Sequence, residues 1–340
     1  MLKKKLPVLY LLLSCVLCLA LVGCGGGGGN NPQTGSQGGT PAADEGPTKI
    51  DIRFGTISAG GAWQVIGGAL LEDIKKANTN ITGSILPSTT AGNILGVHQG
   101  VFEMAFSLTD AAAQAWNGTD NFKDFGEIRD IRNLAALYPH SNLYVVWANS
   151  DIHSIEDLKG KKVSPSDRGS SSDILAQRTL SLYGLSYDDM SMQFLSFSDA
   201  AQQMMDRHID ALLFTSPSPF APVINVGAQR DIRLLSIPAD KVAELTKIQG
   251  VVPYTLPAGT YKGVDYPVEG YAVRTHIIVR DDFPEDVAYS IVKTIAEKFD
   301  TYPAILSSMG NTTLEEMATD VGIPLHPGAE RYYRERGWLK

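Results

Sequence analysis

Cysteine is scarce in this 340-residue sequence, and all three copies lie near its start, at Cys15, Cys18 and Cys24. A fold stapled by disulfide bonds is therefore excluded for the chain beyond position 24. Its stability must come from a hydrophobic core. The 317 residues from Cys24 onward are enough for two domains, at roughly 100 to 200 residues per domain.

Runs of lysine and arginine are also missing after position 24. The formal net charge is −8, and the first 23 residues contain three lysines and no acid, so the remaining chain carries a formal charge of −11. Binding to nucleic acid requires a basic surface that neutralises phosphates. The composition therefore excludes a nucleic-acid partner.

Motifs of enzymes and metal sites are absent from the sequence as well. The six histidines occur in no HExxH or Cys/His ligand spacing, and there is neither a Gly-x-Ser-x-Gly elbow nor a P-loop lysine. We therefore expect no catalytic residue, metal or cofactor. The alternative is a lipid-anchored hydrolase or transferase whose residues follow no such motif.

The N-terminus has the order of a secretory signal. Three lysines at positions 3 to 5 precede the apolar run Leu6–Val22, and Gly23 then precedes Cys24. A membrane-spanning helix is the competing interpretation, since 17 residues is about the shortest run that crosses a bilayer. The string Leu21-Val22-Gly23-Cys24 resembles the lipobox of bacterial lipoproteins. It implies a signal peptide over 1–23, a lipid on Cys24, and an exported chain anchored to a membrane.

Residues 24–48 are predicted to form a flexible tether. Glycine, proline, serine, threonine and asparagine dominate the segment, and it has no periodic apolar positions from which a core could form. A flexible chain of this length spans on the order of 25 to 30 Å. The tether would hold the rest of the protein away from the lipid surface.

Strand and helix patterns alternate from residue 50 onward. This alternation predicts an α/β fold with a mostly parallel sheet flanked by helices. The predicted strands are 50–54, 81–86, 103–108, 143–148, 162–164, 192–194 and 209–214. The predicted helices are 63–77, 91–98, one that begins at Ser154 and ends at Gly160, 172–182, 199–206 and one from about 329.

Ligands of open α/β sheets bind at the carboxyl ends of strands, and one loop there suits an anion. In Ser166–Ser172, hydroxyl groups and Arg168 precede a helix whose free N–H groups and dipole attract negative charge. We predict that Arg168, Ser170, Ser171 and Ser172 bind a carboxylate. The alternative is ordinary helix capping by one serine.

Other candidate ligand residues occupy similar turns. Glycine at a turn lets the backbone approach a ligand closely, hydroxyl and amide groups can donate hydrogen bonds, and an aromatic ring can form an apolar wall. Helix capping is the alternative for Thr90 and Asn93, and packing in the core is the alternative for Trp63 and Tyr138. The candidates are Gly61, Trp63, Thr90, Asn93, Ser107, Tyr138 and Thr215.

Several sequence blocks resemble the TAXI family of solute receptors of TRAP transporters. They are AALYP at 135–139, IEDLKGKKVS at 155–164, PAGTY at 257–261 and IPLHPGAERYYRERGW at 323–338. The resemblance covers residue 50 to the C-terminus. The last block is the most specific.

This resemblance implies a two-lobed, type II periplasmic-binding-protein fold with a ligand cleft between the lobes. Lobe 1 would comprise 49–138 and 264–340, and lobe 2 would comprise 139–263. The implied function is to capture a small organic acid or amino acid, such as glutamate or 2-oxoglutarate, and to deliver it to a TRAP permease. A receptor that serves a sensor or another transporter is the alternative.

Overall fold

The computed structural model describes residues 49–57 and 62–339. The predicted signal peptide, the lipidated Cys24, the tether and the ligand residue Gly61 lie outside these ranges and stay predictions.

Ten strands in the described residues form one mixed sheet. They are β1 (Ile50–Ile57), β2 (Ile81–Ser88), β3 (Met104–Leu108), β4 (Ile131–Trp147), β5 (Lys162–Ser164), β6 (Ser191–Met192), β7 (Ala211–Pro217), β8 (Ile232–Leu234), β9 (Val252–Leu256) and β10 (Val268–Arg280). Their order is β2-β1-β3-β10-β4-β7-β5-β6, with β8 beside β4 and β9 beside β10.

Nine α-helices of the described chain flank this sheet. They are α1 (Ala62–Ala77), α2 (Thr90–His98), α3 (Thr109–Asn117), α4 (Ser171–Ser181), α5 (Phe197–Met205), α6 (Ala221–Gln229), α7 (Ala239–Leu245), α8 (Glu285–Lys298) and α9 (Pro327–Glu335). Short 3-10 turns occur between them, including 120–122 and 307–311.

The predicted α/β class is confirmed, but the sheet is parallel only away from its centre. β1 runs parallel to β2 and β3, and β5 runs parallel to β6 and β7. The long strands β4 and β10 are antiparallel to each other and to their outer neighbours. We call the strands β1 to β3 with α1 to α3 the first side, and β5 to β7 with α4 to α6 the second side.

Apolar spacing explains how each side is covered. Helix α1 buries Trp63, Ile66, Leu70 and Ile74, which recur every three or four residues and so share one face. On the second side, a separate apolar cluster brings residues of β4 and β7 together with α5 and α6. Each side therefore has its own packed layer on the common sheet.

Three predicted elements differ from the structure. The helix expected after Ser154 is a single 3-10 turn, Glu156–Leu158, because the backbone leaves the helical region at Lys159, with φ −58° and ψ 127°. The strand predicted at 192–194 shrinks to two residues, Ser191–Met192. The strand predicted at 143–148 is only the second part of β4.

Candidate functional site

A cavity of about 810 Å³ lies at the carboxyl ends of the outer strands, between the first and second sides. Parallel strands end at the same edge of a sheet, so the loops that follow them converge there. Its lining includes residues from β1, α2, α3, α4, β7 and the 3-10 turn 307–311. A cavity of this size is in the usual range for small-molecule sites, about 300 to 1,000 Å³.

The N-terminus of α4 opens onto this cavity. Ser170 caps the helix by accepting a hydrogen bond from the N–H of Asp173 at 3.2 Å, and Ser171 and Ser172 form the first turn. Their N–H groups have no intrahelical acceptor at that position, and the helix dipole is positive there. Arg168 lies beside this turn and stacks its guanidinium over Phe194, 3.8 Å from the ring centroid.

A second helix N-terminus reaches the cavity from the first side. Thr89 caps α2 by accepting a hydrogen bond from the N–H of Gly92 at 3.0 Å, and Thr90 begins the helix. Both threonines line the cavity. The cavity thus has two positive helix ends and one arginine, which favour an anionic group, although Asp167 also lines it.

The wall of the cavity beside β10 is made of aromatic and hydroxyl groups. The indole N–H of Trp63 donates to Thr275 Oγ1 at 3.0 Å, and His140 Nε2 lies 2.8 Å from the same oxygen. Tyr138 stacks against His140. Burial lowers the pKa of His140 to about 3, so the imidazole is neutral at physiological pH and this wall adds no charge.

Four buried polar side chains that line the cavity have unpartnered atoms. They are the amide of Gln114, the hydroxyls of Tyr138 and Ser308, and Thr215 Oγ1. Under strict hydrogen-bond geometry none of these atoms has a partner among the described residues, although the hydroxyl of Tyr138 lies near Thr275 and Trp63 and that of Thr215 lies near Tyr271. Each of the four residues is at most 6 % exposed. Buried polar groups are paired in the great majority of structures, so these four are suited to pairing with a bound molecule.

Asp110 lies one helical turn before Gln114 on α3 and is 1 % exposed. Burial raises the pKa of its carboxyl group, and the neighbouring Ser171 and Arg178 offset only part of the rise. Neither carboxyl oxygen forms a geometrically sound hydrogen bond with a described residue. A buried acid therefore stands close to the N-terminus of α4.

Aromatic rings form the apolar wall of the cavity on the second side. Phe197 and Phe220 are both half-buried and contact each other edge to face, with centroids 5.1 Å apart. Phe214 supports Phe197 from behind at 4.8 Å. Phe197 and Phe220 expose non-polar surface in the cavity, as do Leu306 and Ile174.

The two sides also touch directly beside the cavity. Arg178 on α4 pairs with Asp120 at 2.8 Å, and the amide of Asn121 donates to the carbonyl oxygen of Gly169 at 3.2 Å. Asp120 and Asn121 follow α3 and belong to the first side, whereas the other two residues belong to the second. The sides are therefore joined around the cavity rather than splayed apart.

The structure brings most of the predicted ligand residues together. Those that line the cavity are Trp63, Thr90, Tyr138, Arg168, Ser170, Ser171, Ser172 and Thr215.

Asn93 and Ser107 lie elsewhere, in the interior. Asn93 is fully buried and donates from its amide to the carbonyl oxygens of Thr56 and Phe106, at 3.0 and 2.9 Å. The side chain of Ser107 is fully buried, and its hydroxyl donates to the carbonyl oxygen of Leu108. Asn93 links two strands, and neither side chain lines the cavity.

Sequence reasoning missed Gln114, His140, Ser308 and the two phenylalanines of the wall. The sequence feature that could have indicated Gln114 is its pairing with Asp110. The two polar residues are four positions apart, so they share one face of a helix in the alanine-rich stretch 109–117. Such a polar pair on a buried face requires partners.

Within 49–57 and 62–339, no group of three or more histidine, cysteine or acidic side chains could hold a metal ion. In the same ranges, no helix is long and apolar enough to cross a membrane.

Comparison with known proteins adds a family. The NMT1-like family matches residues 54–337. Similar solved structures include a TctC solute binding protein from Polaromonas, with a TM-score of 0.51 and 15 % identity over 77 % of this chain and 88 % of that chain.

Two further structures cover more of this chain at lower TM-scores. The periplasmic aliphatic sulphonate binding protein SsuA from Escherichia coli has a TM-score of 0.49 and 17 % identity over 84 % of this chain and 78 % of that chain. The alkanesulfonate-binding protein SsuA from Xanthomonas axonopodis pv. citri, bound to MOPS, has a TM-score of 0.48 and 13 % identity over 85 % of each chain.

At such identities the likeness concerns the fold. The TctC comparison confirms the expected solute-binding-protein fold. The division into lobes at 138/139 and 263/264 stays a prediction.

Proposed function

The chain belongs to the NMT1-like family, and from its fold and its cavity we propose that it is an extracytoplasmic solute-binding receptor that delivers a carboxylate to a membrane transporter. The observation that carries the proposal is the set of buried, unpartnered polar groups of Gln114, Tyr138, Thr215 and Ser308 around one cavity. A receptor needs such groups to replace the water shell of its solute. The two helix N-termini and Arg168 supply the positive potential for an anion.

The transporter class is the finer part of the proposal. The sequence blocks that resemble TAXI receptors favour a TRAP permease, and they imply glutamate or 2-oxoglutarate as solutes. The N-terminal sequence favours export and anchoring through a lipid on Cys24. A receptor near its permease would hand over its solute by opening the two sides of the cavity.

Ligand-induced stabilisation tests the proposal. A ligand that binds only the folded chain adds RT ln(1 + [L]/Kd) to the free energy of unfolding, about 2.7 kcal/mol at a hundredfold excess over Kd. We expect the midpoint of thermal unfolding to rise with at least one member of a panel of organic acids and amino acids. No rise with any of them would contradict the proposal, and consumption of the ligand would indicate an enzyme.

Arg168 supplies a sharper version of the test. Arg168→Ala should weaken binding of an acidic ligand, since it removes the arginine beside the α4 N-terminus. Arg230→Ala is the matched control, because Arg230 also stacks on an aromatic ring, that of Trp147 at 5.4 Å, and does not line the cavity. Equal affinities of wild type and Arg168→Ala by calorimetry would remove Arg168 from the site.

A further inference from the structure

The cavity is much larger than the small carboxylates implied by the sequence resemblance. Glutamate and 2-oxoglutarate each have ten non-hydrogen atoms. Even if every atom took up the space of a whole water molecule, about 30 Å³, either solute would fill roughly 300 Å³. More than half of the 810 Å³ cavity volume would then remain unfilled by the solute.

Contacts between the two sides already limit how much of this volume closure could remove. The ion pair Asp120–Arg178 and the hydrogen bond from Asn121 to Gly169 already join the two sides beside the cavity. The volume is therefore that of a cavity whose sides are in contact. A bound molecule must fill it, or water must.

The chemistry of the remaining wall disfavours water. Phe197 and Phe220 present half-buried rings, and Leu306, Ile174 and Pro219 continue the same apolar surface. Covering apolar surface of this kind with apolar ligand atoms is favourable, at roughly 25 cal/mol for each Å² removed from water. Water against the same rings would gain no hydrogen bond from them.

Polar and apolar parts of the wall therefore coexist in one cavity. Arg168 and the N-termini of α2 and α4 suit an anionic head group, and the phenylalanine wall suits an apolar body. We propose that the solute is a carboxylate with an apolar body, which packs against Phe197 and Phe220. The inference rests on the proposed receptor function and names its substrate class.

Four matched compounds test the inference with the full chain purified in detergent. Propanoate carries the head group alone, glutarate adds a second carboxylate, 3-phenylpropanoate adds a phenyl ring, and 3-phenylpropanamide keeps the ring without the charge. Isothermal calorimetry measures each affinity. We expect 3-phenylpropanoate to bind at least about tenfold more tightly than each of the other three, since even single apolar groups in a fitted pocket change affinity by 10-fold or more.

Variants of the phenylalanine wall test whether it contacts the phenyl ring of the ligand. Phe220→Ala should weaken 3-phenylpropanoate about tenfold and leave propanoate unchanged, and Phe220→Leu should recover most of the loss, because it restores apolar volume. Phe125→Ala is the matched control, since Phe125 is 55 % exposed and does not line the cavity. Equal loss in Phe125→Ala, or none in Phe220→Ala, would overturn the assignment of the wall.

The outcomes separate the two proposals. Tighter binding of glutarate than of 3-phenylpropanoate would overturn the apolar body and leave the receptor function standing. Equal binding of the amide and the acid would overturn the anionic head group. If no carboxylate of the series or of the earlier panel binds, the receptor function fails and the inference fails with it.

Discussion

Ser172 is expected to contribute to folding through the backbone of β7, although it lines the cavity. β5 covers the edge of β7 only as far as the pair Ser164–Leu212, so the backbone of Thr215 has no strand partner on that edge. The hydroxyl of Ser172 takes the place of the missing strand partner. It accepts from the N–H of Thr215 at 2.9 Å and donates to the carbonyl oxygen of the same residue at 3.2 Å.

Removing this hydroxyl leaves a buried N–H without an acceptor. Ser172 is 2 % exposed and Thr215 is 6 % exposed, so solvent reaches the site poorly. A buried polar group left unpaired costs about 1 to 3 kcal/mol, and the better helix propensity of alanine offsets less than about 0.5 kcal/mol. We expect Ser172→Ala to lower the free energy of unfolding by about 2 kcal/mol.

Urea denaturation of the ligand-free chain measures this change, provided that the slope of the transition is the same in both proteins. Ser198→Ala is the control, since Ser198 is exposed in the first turn of α5 and should lose nothing measurable. A Ser172→Ala protein as stable as wild type would refute the reasoning. So would an equal loss in the control.

Two further predictions concern buried groups near the cavity and the sheet. Because burial raises the pKa of Asp110, the folded state holds its proton more tightly than the unfolded state, and stability falls as pH rises above the ordinary aspartate range, about 4. Asp110→Asn should therefore gain stability relative to wild type as pH rises from 4 to 8; a constant difference in urea midpoints would contradict this. In Gly270→Ala, the new Cβ would clash with Asn142 Oδ1, which accepts from the N–H of Tyr271. We expect the free energy of unfolding to fall by about 1 to 3 kcal/mol, and Asn142→Ala in the same chain should partly relieve this loss. Additive losses of the two substitutions in urea denaturation would show that the two side chains do not clash.

Local patterns in the sequence predicted the outer elements well. The strand at 50–54 and the helix at 63–77 depend on apolar periodicity within a few turns, and β1 and α1 occur there with small shifts at their ends. The serine at position 170 caps α4 because capping is itself a local interaction. These elements need no knowledge of distant partners.

The long central strands depend on distant partners and were only partly predicted. Pro139 interrupts the pattern of β4, because proline donates no backbone hydrogen bond and usually marks an edge or an irregularity. In the structure, Pro139 pairs with Arg274 next to a shift in register between Arg274 and His276. The strand continues through the proline because the irregular register of β10 accommodates it there. No local signal in residues 131–147 reveals that accommodation.

Side-chain direction explains which candidate residues reach the cavity. Loop and first-turn residues such as Thr90 and Ser171 follow strand ends, so their position alone brings them to the cavity. Ser107 stands within β3, where neighbouring side chains alternate between faces, and Asn93 lies within α2 and turns toward the sheet. Whether such a residue reaches the cavity depends on which face of its strand or helix it occupies. Its distance in sequence from the strand end does not determine that face. Phe197 and Phe220 show the converse, since α5 and α6, which lie on either side of β7 in the sequence, had to pack together before the two rings could form one wall. The helix ends on which the proposed anion site rests were therefore predictable from local sequence, whereas the apolar wall is visible only in the assembled cavity.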